Sequence, residues 1–168
     1  MASSSPAADY VAAQLQTADA LCAERGQRLT PIRRKVLEAM LRHGRSLKAY
    51  ELLDMMRNAL PNAAPPTIYR ALDFLVAQGL AHRLDAVNAW AACMDAAGEP
   101  HDFLVVCTRC GAVAQLSDPA LTRQLAAKAR AAGFTLARCE TELQALCNPC
   151  SEQEPEAVHA HDHAHGRP

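Results

Sequence analysis

Two short knuckles, Cys107-Thr108-Arg109-Cys110 and Cys147-Asn148-Pro149-Cys150, constrain this chain more than any other feature. Thirty-six residues lie between them. Each Cys-x-x-Cys offers two thiolates from one tight turn, and four thiolates make the tetrahedral, sulfur-rich set that zinc prefers. A single such pair would suit a thiol redox site. Two matched pairs are better explained by one structural zinc that staples distant parts of the chain.

With 168 residues, the chain has room for one ordinary domain or two small ones. Half of the residues are hydrophobic but only 4% are aromatic, so the core is expected to be built from Leu, Ala and Val. The formal net charge of −1 conceals a polarity. From Glu24 to Arg83 there are eleven Lys/Arg against five Asp/Glu; from Ala91 onward there are six against ten. A basic front and an acidic back suggest that the front meets an anion, with nucleic acid the leading candidate. The first residues show neither a basic cluster nor an apolar run, so no signal peptide is expected. No stretch reaches the ~18 apolar residues of a membrane span. A cytoplasmic protein is expected, in which seven cysteines serve metal or thiol chemistry and not a disulfide framework.

Residues 1–8 read as a disordered leader. Val11, Leu15, Ala18, Leu21 and Cys22 recur at helical spacing and predict a helix from Asp9 to Arg25, with Cys22 as a small buried hydrophobe. Thr30-Pro31 starts a second helix, with Thr30 as N-cap; Arg33, Arg34 and Lys35 fall largely off its apolar stripe. A third helix follows Ser46 and stops at Pro61, carrying Asp54 and Arg57 as a surface ion pair. A fourth opens at Pro65-Pro66 and closes at Gly79, with Ile68, Leu72, Leu75 and Val76 inward. Leu80–Leu84 and Ala89–Cys93 read as a hairpin. Helices followed by a two-stranded ribbon predict a winged helix-turn-helix over 9–94. Its last helix would enter the major groove, where Thr67, Tyr69 and Arg70 are the candidate DNA contacts. Arg33 and Arg34 would follow the phosphate backbone.

Residues 95–100 read as a hinge. Residues 101–151 are expected to form a small α/β dimerisation domain. It has strands at Asp102–Val106, Val113–Leu116 and Phe134–Leu146, and a helix capped by Asp118-Pro119 with Leu121, Leu125, Ala126 and Ala129 inward. So small a core explains the need for a staple. The fold class is thus mostly α with small sheets. Residues 152–168 read as a disordered, His-rich tail. Three further donors, His82, Cys93 and His101, bracket the hinge. An imidazole–thiolate–imidazole set suits Zn²⁺ better than Mg²⁺ or Ca²⁺, and a metal there would fix the angle between the halves.

Several stretches resemble the ferric-uptake-regulator (Fur) family, and within it the zinc-uptake branch. They are Arg28-Leu29-Thr30-Pro31, the run Pro66 to Leu75, Gln78-Gly79-Leu80-Ala81-His82, and Cys107 to Val113. The likeness spans roughly Asp19 to Cys150. It implies a homodimeric, zinc-dependent repressor of zinc-uptake genes that binds an AT-rich palindromic operator on double-stranded DNA. It implies that Cys107, Cys110, Cys147 and Cys150 hold structural zinc, that His82, Cys93 and His101 hold a regulatory zinc, and that Tyr69 and Arg70 contact DNA. The family usually carries Glu two residues past the Gly-x-Val turn as a fourth regulatory ligand; this chain has Gln115. That leaves the fourth position to water, Asp102 or a residue of the tail. The family's His in the last strand is Cys139 here. Other readings are an iron or peroxide sensor of the same family, a thiol redox enzyme, or a zinc chaperone acting through the tail. No nucleophile–base–oxyanion set is visible, so neither catalysis nor a small-molecule substrate is expected.

Overall fold

The structure, a computed structural model, describes residues 8–57, 64–97, 102–136 and 141–153. His101, Cys139, Pro61, the end of the expected hinge and nearly all of the expected leader and tail lie outside the described residues.

Helix α1, Ala8–Glu24, buries Val11, Leu15, Ala18 and Cys22, a stripe at the i, i+4, i+7 and i+11 positions. Helix α2, Pro31–His43, starts with proline at its first position. Thr30 has the extended backbone of an N-cap, but its hydroxyl makes no capping hydrogen bond. Gly44, at φ 59°, ends the helix and donates its N–H to the Met40 carbonyl. In helix α3, Ala49–Met56, the Glu51 carboxylate accepts from the Lys48 N–H at the first turn. Helix α4, Pro65–Ala77, starts on its two prolines. It buries Ile68, Ala71, Leu72 and Leu75 and leaves Tyr69, Arg70 and Asp73 exposed. Asp54 and Arg57 form the expected exposed ion pair at 3.3 Å.

The wing is strand β1, Ala81–Leu84, paired antiparallel with β2, Ala89–Ala92. Asn88 occupies the left-handed region at φ 49° in the turn, where Asn is better tolerated than most residues. Leu47 adds a third rung, exchanging two backbone hydrogen bonds of 2.8 Å with Trp90. One core joins the four helices and the wing, with Met40, Leu41, Leu52, Ile68, Leu72 and Leu75 fully buried.

The C-terminal part is a three-stranded sheet ordered β4-β3-β5. Strand β3, Phe103–Cys107, runs antiparallel to β4, Val113–Leu116, and parallel to β5, Thr141–Ala145. Helix α5, Pro119–Ala131, lies between β4 and β5 in sequence, and a one-turn α6, Asn148–Ser151, follows. Asp118 caps α5 as expected, accepting from the N–H groups of Ala120 and Leu121.

Two expectations change. Leu121, Leu125, Ala126 and Ala129 were expected inward, yet α5 has no buried residue, and Leu121 is 47% exposed. The apolar face exists, but among the described residues nothing buries it: Leu125, Ala126 and Ala129 are half-buried and Leu121 is exposed. The last strand was expected over Phe134–Leu146, yet among the described residues it covers Thr141–Ala145, with 134–136 outside it. A strand is as long as its ladder, and β5 pairs residue for residue with the five positions of β3. Phe134 instead closes α5, donating its N–H to the Ala129 carbonyl, with its ring 70% exposed.

The winged helix and the α/β part meet directly. Leu84 and Ala91 of the wing form a second buried cluster with Leu104 and Val106 of β3. Arg45, in the loop between α2 and α3, bridges to Ala112, and the Ser46 N–H donates to the Gly111 carbonyl at 2.8 Å. In the wing turn, the Ala86 N–H donates to the Glu142 carboxylate of β5.

Candidate functional site

Parallel pairing of β3 and β5 brings the two knuckles together. Both strands leave the sheet at the same end, so Cys107 at the end of β3 meets Cys147, which follows β5. The four sulfurs of Cys107, Cys110, Cys147 and Cys150 all lie within 4.8 Å of one another, and Cys110 and Cys147 are 3.6 Å apart. A tetrahedron with Zn–S of about 2.3 Å has edges of roughly 3.8 Å, so the donor set fits zinc. The thiols are poised unequally. Burial raises the Cys107 thiol, but N–H groups of Cys110, Cys147 and Arg109 point at its sulfur and together bring it down to about 6. Cys150 is driven up to about 12, first by the hydrogen-bonded Cys147 sulfur and then by burial. Crowded thiols that resist ionising together become four thiolates once a cation neutralises them. Arg109 ties the knuckles further, donating to the Cys150 carbonyl at 2.7 Å.

His82 on β1 and Cys93, one residue past β2, are each 7% exposed. His82 lies opposite Ala91, and Cys93 is two residues beyond Ala91, so the two donors share a face of the ribbon as diagonal neighbours. That face carries Leu84 and Ala91, which pack on β3. An imidazole and a thiolate buried at the junction of the two parts are a fit beginning for a zinc site. The third expected donor, His101, lies outside the described residues. Asp102 is occupied elsewhere, its carboxylate accepting from the Asp118 N–H at 2.8 Å. Gln115 faces the backbone on either side of Cys93, accepting from the Met94 N–H at 3.1 Å and donating to the Ala92 carbonyl at 2.8 Å. Nothing in the sequence signalled that contact beyond the amide itself.

On the expected DNA-facing side, Thr67 is half-buried in the first turn of α4, its N–H donating to the Ala64 carbonyl. Tyr69 is 47% exposed, and Arg70 projects to solvent beside it. Tyr69 meets Trp90 of the wing edge-on, with ring centroids 5.8 Å apart. Arg33 and Arg34 are more constrained than their place off the α2 stripe implied. The Arg33 guanidinium lies 3.5 Å from the centre of the Phe74 ring and donates to the Arg28 carbonyl. Arg34 pairs with Asp19 of α1. Both fasten α2 to its neighbours. A cation not singled out in the sequence, Arg83, stands on the exposed edge of the wing, over Trp90 and paired with Asp85.

A winged helix packed on an α/β unit, with four cysteine sulfurs gathered as a candidate metal centre, defines a two-part DNA-binding fold. The chain belongs to the ferric uptake regulator family, whose model matches residues 24–144. It is 38% identical to the zinc uptake regulation protein of Escherichia coli K12 over 155 residues, covering 89% of this chain and 90% of that protein. Identity to the peroxide operon regulator of Bacillus subtilis falls to 25% over 131 residues, covering 78% and 89%, so the likeness within the family is to the zinc-uptake branch. A zinc uptake regulator complexed with zinc and DNA superposes with TM-score 0.75 at 36% identity, covering 84% of this chain and 95% of that one. The holo form of XcZur superposes with TM-score 0.69 over 83% and 98% of the two chains, and its apo form with 0.51 over 85% and 99%, both at 40% identity.

Proposed function

We propose that the protein is a zinc-responsive, DNA-binding transcriptional repressor of zinc-uptake genes, acting as a cytoplasmic homodimer. The division into a winged helix over 9–94, a hinge over 95–100 and a dimerisation domain over 101–151 belongs to the same reading. Its likeness to zinc uptake regulators supports it. The observation that carries it is the burial of His82 and Cys93 on the one wing face that packs against β3.

Cys107, Cys110, Cys147 and Cys150 would hold a permanent zinc that completes the α/β part. His82 and Cys93, with His101 across the hinge, would hold a second, exchangeable zinc per protomer. That ion supplies bonds between groups on both sides of the hinge, so it selects one angle from those the free chain samples. The exposed leucines at 116, 121 and 143 and the ring of Phe134 offer the second protomer an apolar face. In the selected arrangement the two α4 helices of a dimer can reach successive major-groove turns, about 34 Å apart. Tyr69, Arg70 and Thr67 would contact bases and phosphates of an AT-rich palindrome, with Arg33 and Arg34 contributing charge. By linkage, the operator must tighten zinc binding as much as zinc tightens operator binding.

The test is operator binding at buffered free zinc with the four-thiolate site filled throughout. Affinity should rise at least about tenfold as the second site fills, within the usual range of allosteric coupling. Equal affinity with that site filled and stripped would overturn the reading. Metal analysis after growth in mixed metals separates it from an iron or peroxide sensor, which Cys93 disfavours because a thiolate selects zinc.

A further inference from the structure

Gln115 has a role that its place in the sequence does not suggest. It lies on β4 opposite Leu104, in the α/β part, yet both ends of its amide reach the wing. The Ala92 carbonyl can only accept and the Met94 N–H can only donate, so the orientation of the amide is fixed by its partners. Together they bracket Cys93, whose own N–H donates to the Leu80 carbonyl at 3.0 Å. The Met94 carbonyl accepts from the Tyr10 hydroxyl at 2.9 Å. The backbone carrying the Cys93 thiol is therefore held from the ribbon, from α1 and, through Gln115, from the other part of the molecule.

The chemistry selects an amide. A carboxylate at 115 would accept from Met94 but would set a negative oxygen against the Ala92 carbonyl, with no proton to offer it. A primary amide supplies one donor and one acceptor side by side at neutral pH, which an ionised carboxylate does not. Glu, the residue the family resemblance leads one to expect, would have to turn away from this pair of partners.

We propose that Gln115 is a positioning residue of the regulatory site: a latch between β4 and the wing that seats Cys93, and not a metal ligand. The latch rests on the regulatory reading of His82 and Cys93. It adds that the contact between β4 and the Cys93 backbone is made by the protein itself and does not wait for the second zinc.

The experiment uses the full chain with the four-thiolate site filled and the second site stripped, comparing the parent with Gln115→Met and Gln115→Leu. Amide hydrogen exchange at Met94 should accelerate roughly fivefold to tenfold in both variants, the worth of one hydrogen bond, while α4 amides keep their protection. Cobalt titrated into the second site should show the same thiolate-to-metal and ligand-field bands in all three proteins, with affinity lowered several-fold in the variants. Unchanged Met94 exchange would overturn the latch. So would an altered ligand-field spectrum in Gln115→Leu, whose new side chain brings no donor of its own; Gln115 would then be a ligand. A parent protein whose operator affinity ignores zinc would instead overturn the regulatory reading, leaving the exchange result to stand on its own.

Discussion

The N–H of Ser46 donates to the carbonyl of Gly111, and the Ser46 hydroxyl oxygen lies 2.8 Å from where a Cβ on residue 111 would stand. The loop between α2 and α3 thus rests on the turn of the first knuckle, with no room for a side chain between them. Gly111 also has φ 75°, a backbone region that L-residues rarely adopt. Gly111→Ala should therefore lower stability by about 1–3 kcal/mol from strain and overlap together. Ser46→Gly in the same chain should restore part of the loss by removing the hydroxyl. Thermal unfolding of the single and double variants, read as a cycle, checks this.

The same loop carries a pH signature. Glu51 accepts from Arg45 and from the Lys48 N–H, each at 2.8 Å. Burial pushes its carboxyl up, but the Arg45 hydrogen bond, the Lys48 N–H and both positive charges outweigh it, and the result lies below the ordinary value of about 4.5. A depressed folded value means that the stabilisation is fully present above the unfolded value and is lost as pH falls through the folded one. Glu51→Gln should thus cost about 1 kcal/mol at pH 7. The cost should shrink below about pH 4.5 and vanish in stronger acid. Urea unfolding of parent and variant across that range gives the difference directly, since acid effects on the thiolates are common to both.

Cys107→Ser and Cys93→Ser should separate the two metal centres. Backbone N–H groups bring the Cys107 thiol down to about 6, and the Cys147 N–H of the second knuckle contacts its sulfur. Its loss should empty the four-thiolate site and unfold or monomerise the protein. Cys93→Ser should keep the fold and the four-thiolate zinc while abolishing the zinc response of DNA binding. Zinc stoichiometry with sedimentation would decide, and reversed phenotypes would mean the sites have been exchanged.

Arg70→Ala should weaken operator binding by about 1–3 kcal/mol if Arg70 reads a base, or reduce the salt slope by about one if it meets a phosphate. Arg33→Ala should act differently. Arg33 stacks on Phe74, so its removal should lower the melting temperature as well as affinity. Zinc content should not change in either variant. Binding isotherms at several salt concentrations distinguish the two arginines.

Much of the winged helix was legible because its signals are local. Paired prolines at the start of α4, Gly79 after it, and leucines at helical spacing act within a few residues of themselves. The four-thiolate centre was legible because Cys-x-x-Cys encodes its geometry in its spacing. The C-terminal half was less so. The pairing of β5 is set by β3, far away in sequence, and among the described residues nothing buries the apolar face of α5. The tethering of Arg33 to Phe74 and of Gln115 to the wing backbone depends on packing between distant elements, which no spacing rule records.

The parallel pairing of β3 with β5 has a consequence for how the chain matures. Parallel neighbours need a long excursion between them, here through β4 and α5, and such excursions close slowly because the entropy of closure comes before the reward. The thiolates at the shared exit of both strands let an ion mark the correct register while the sheet is still forming. If the proposed zinc fills that site, a newly made copy would take up metal as it folds, and register and metal loading would be settled together.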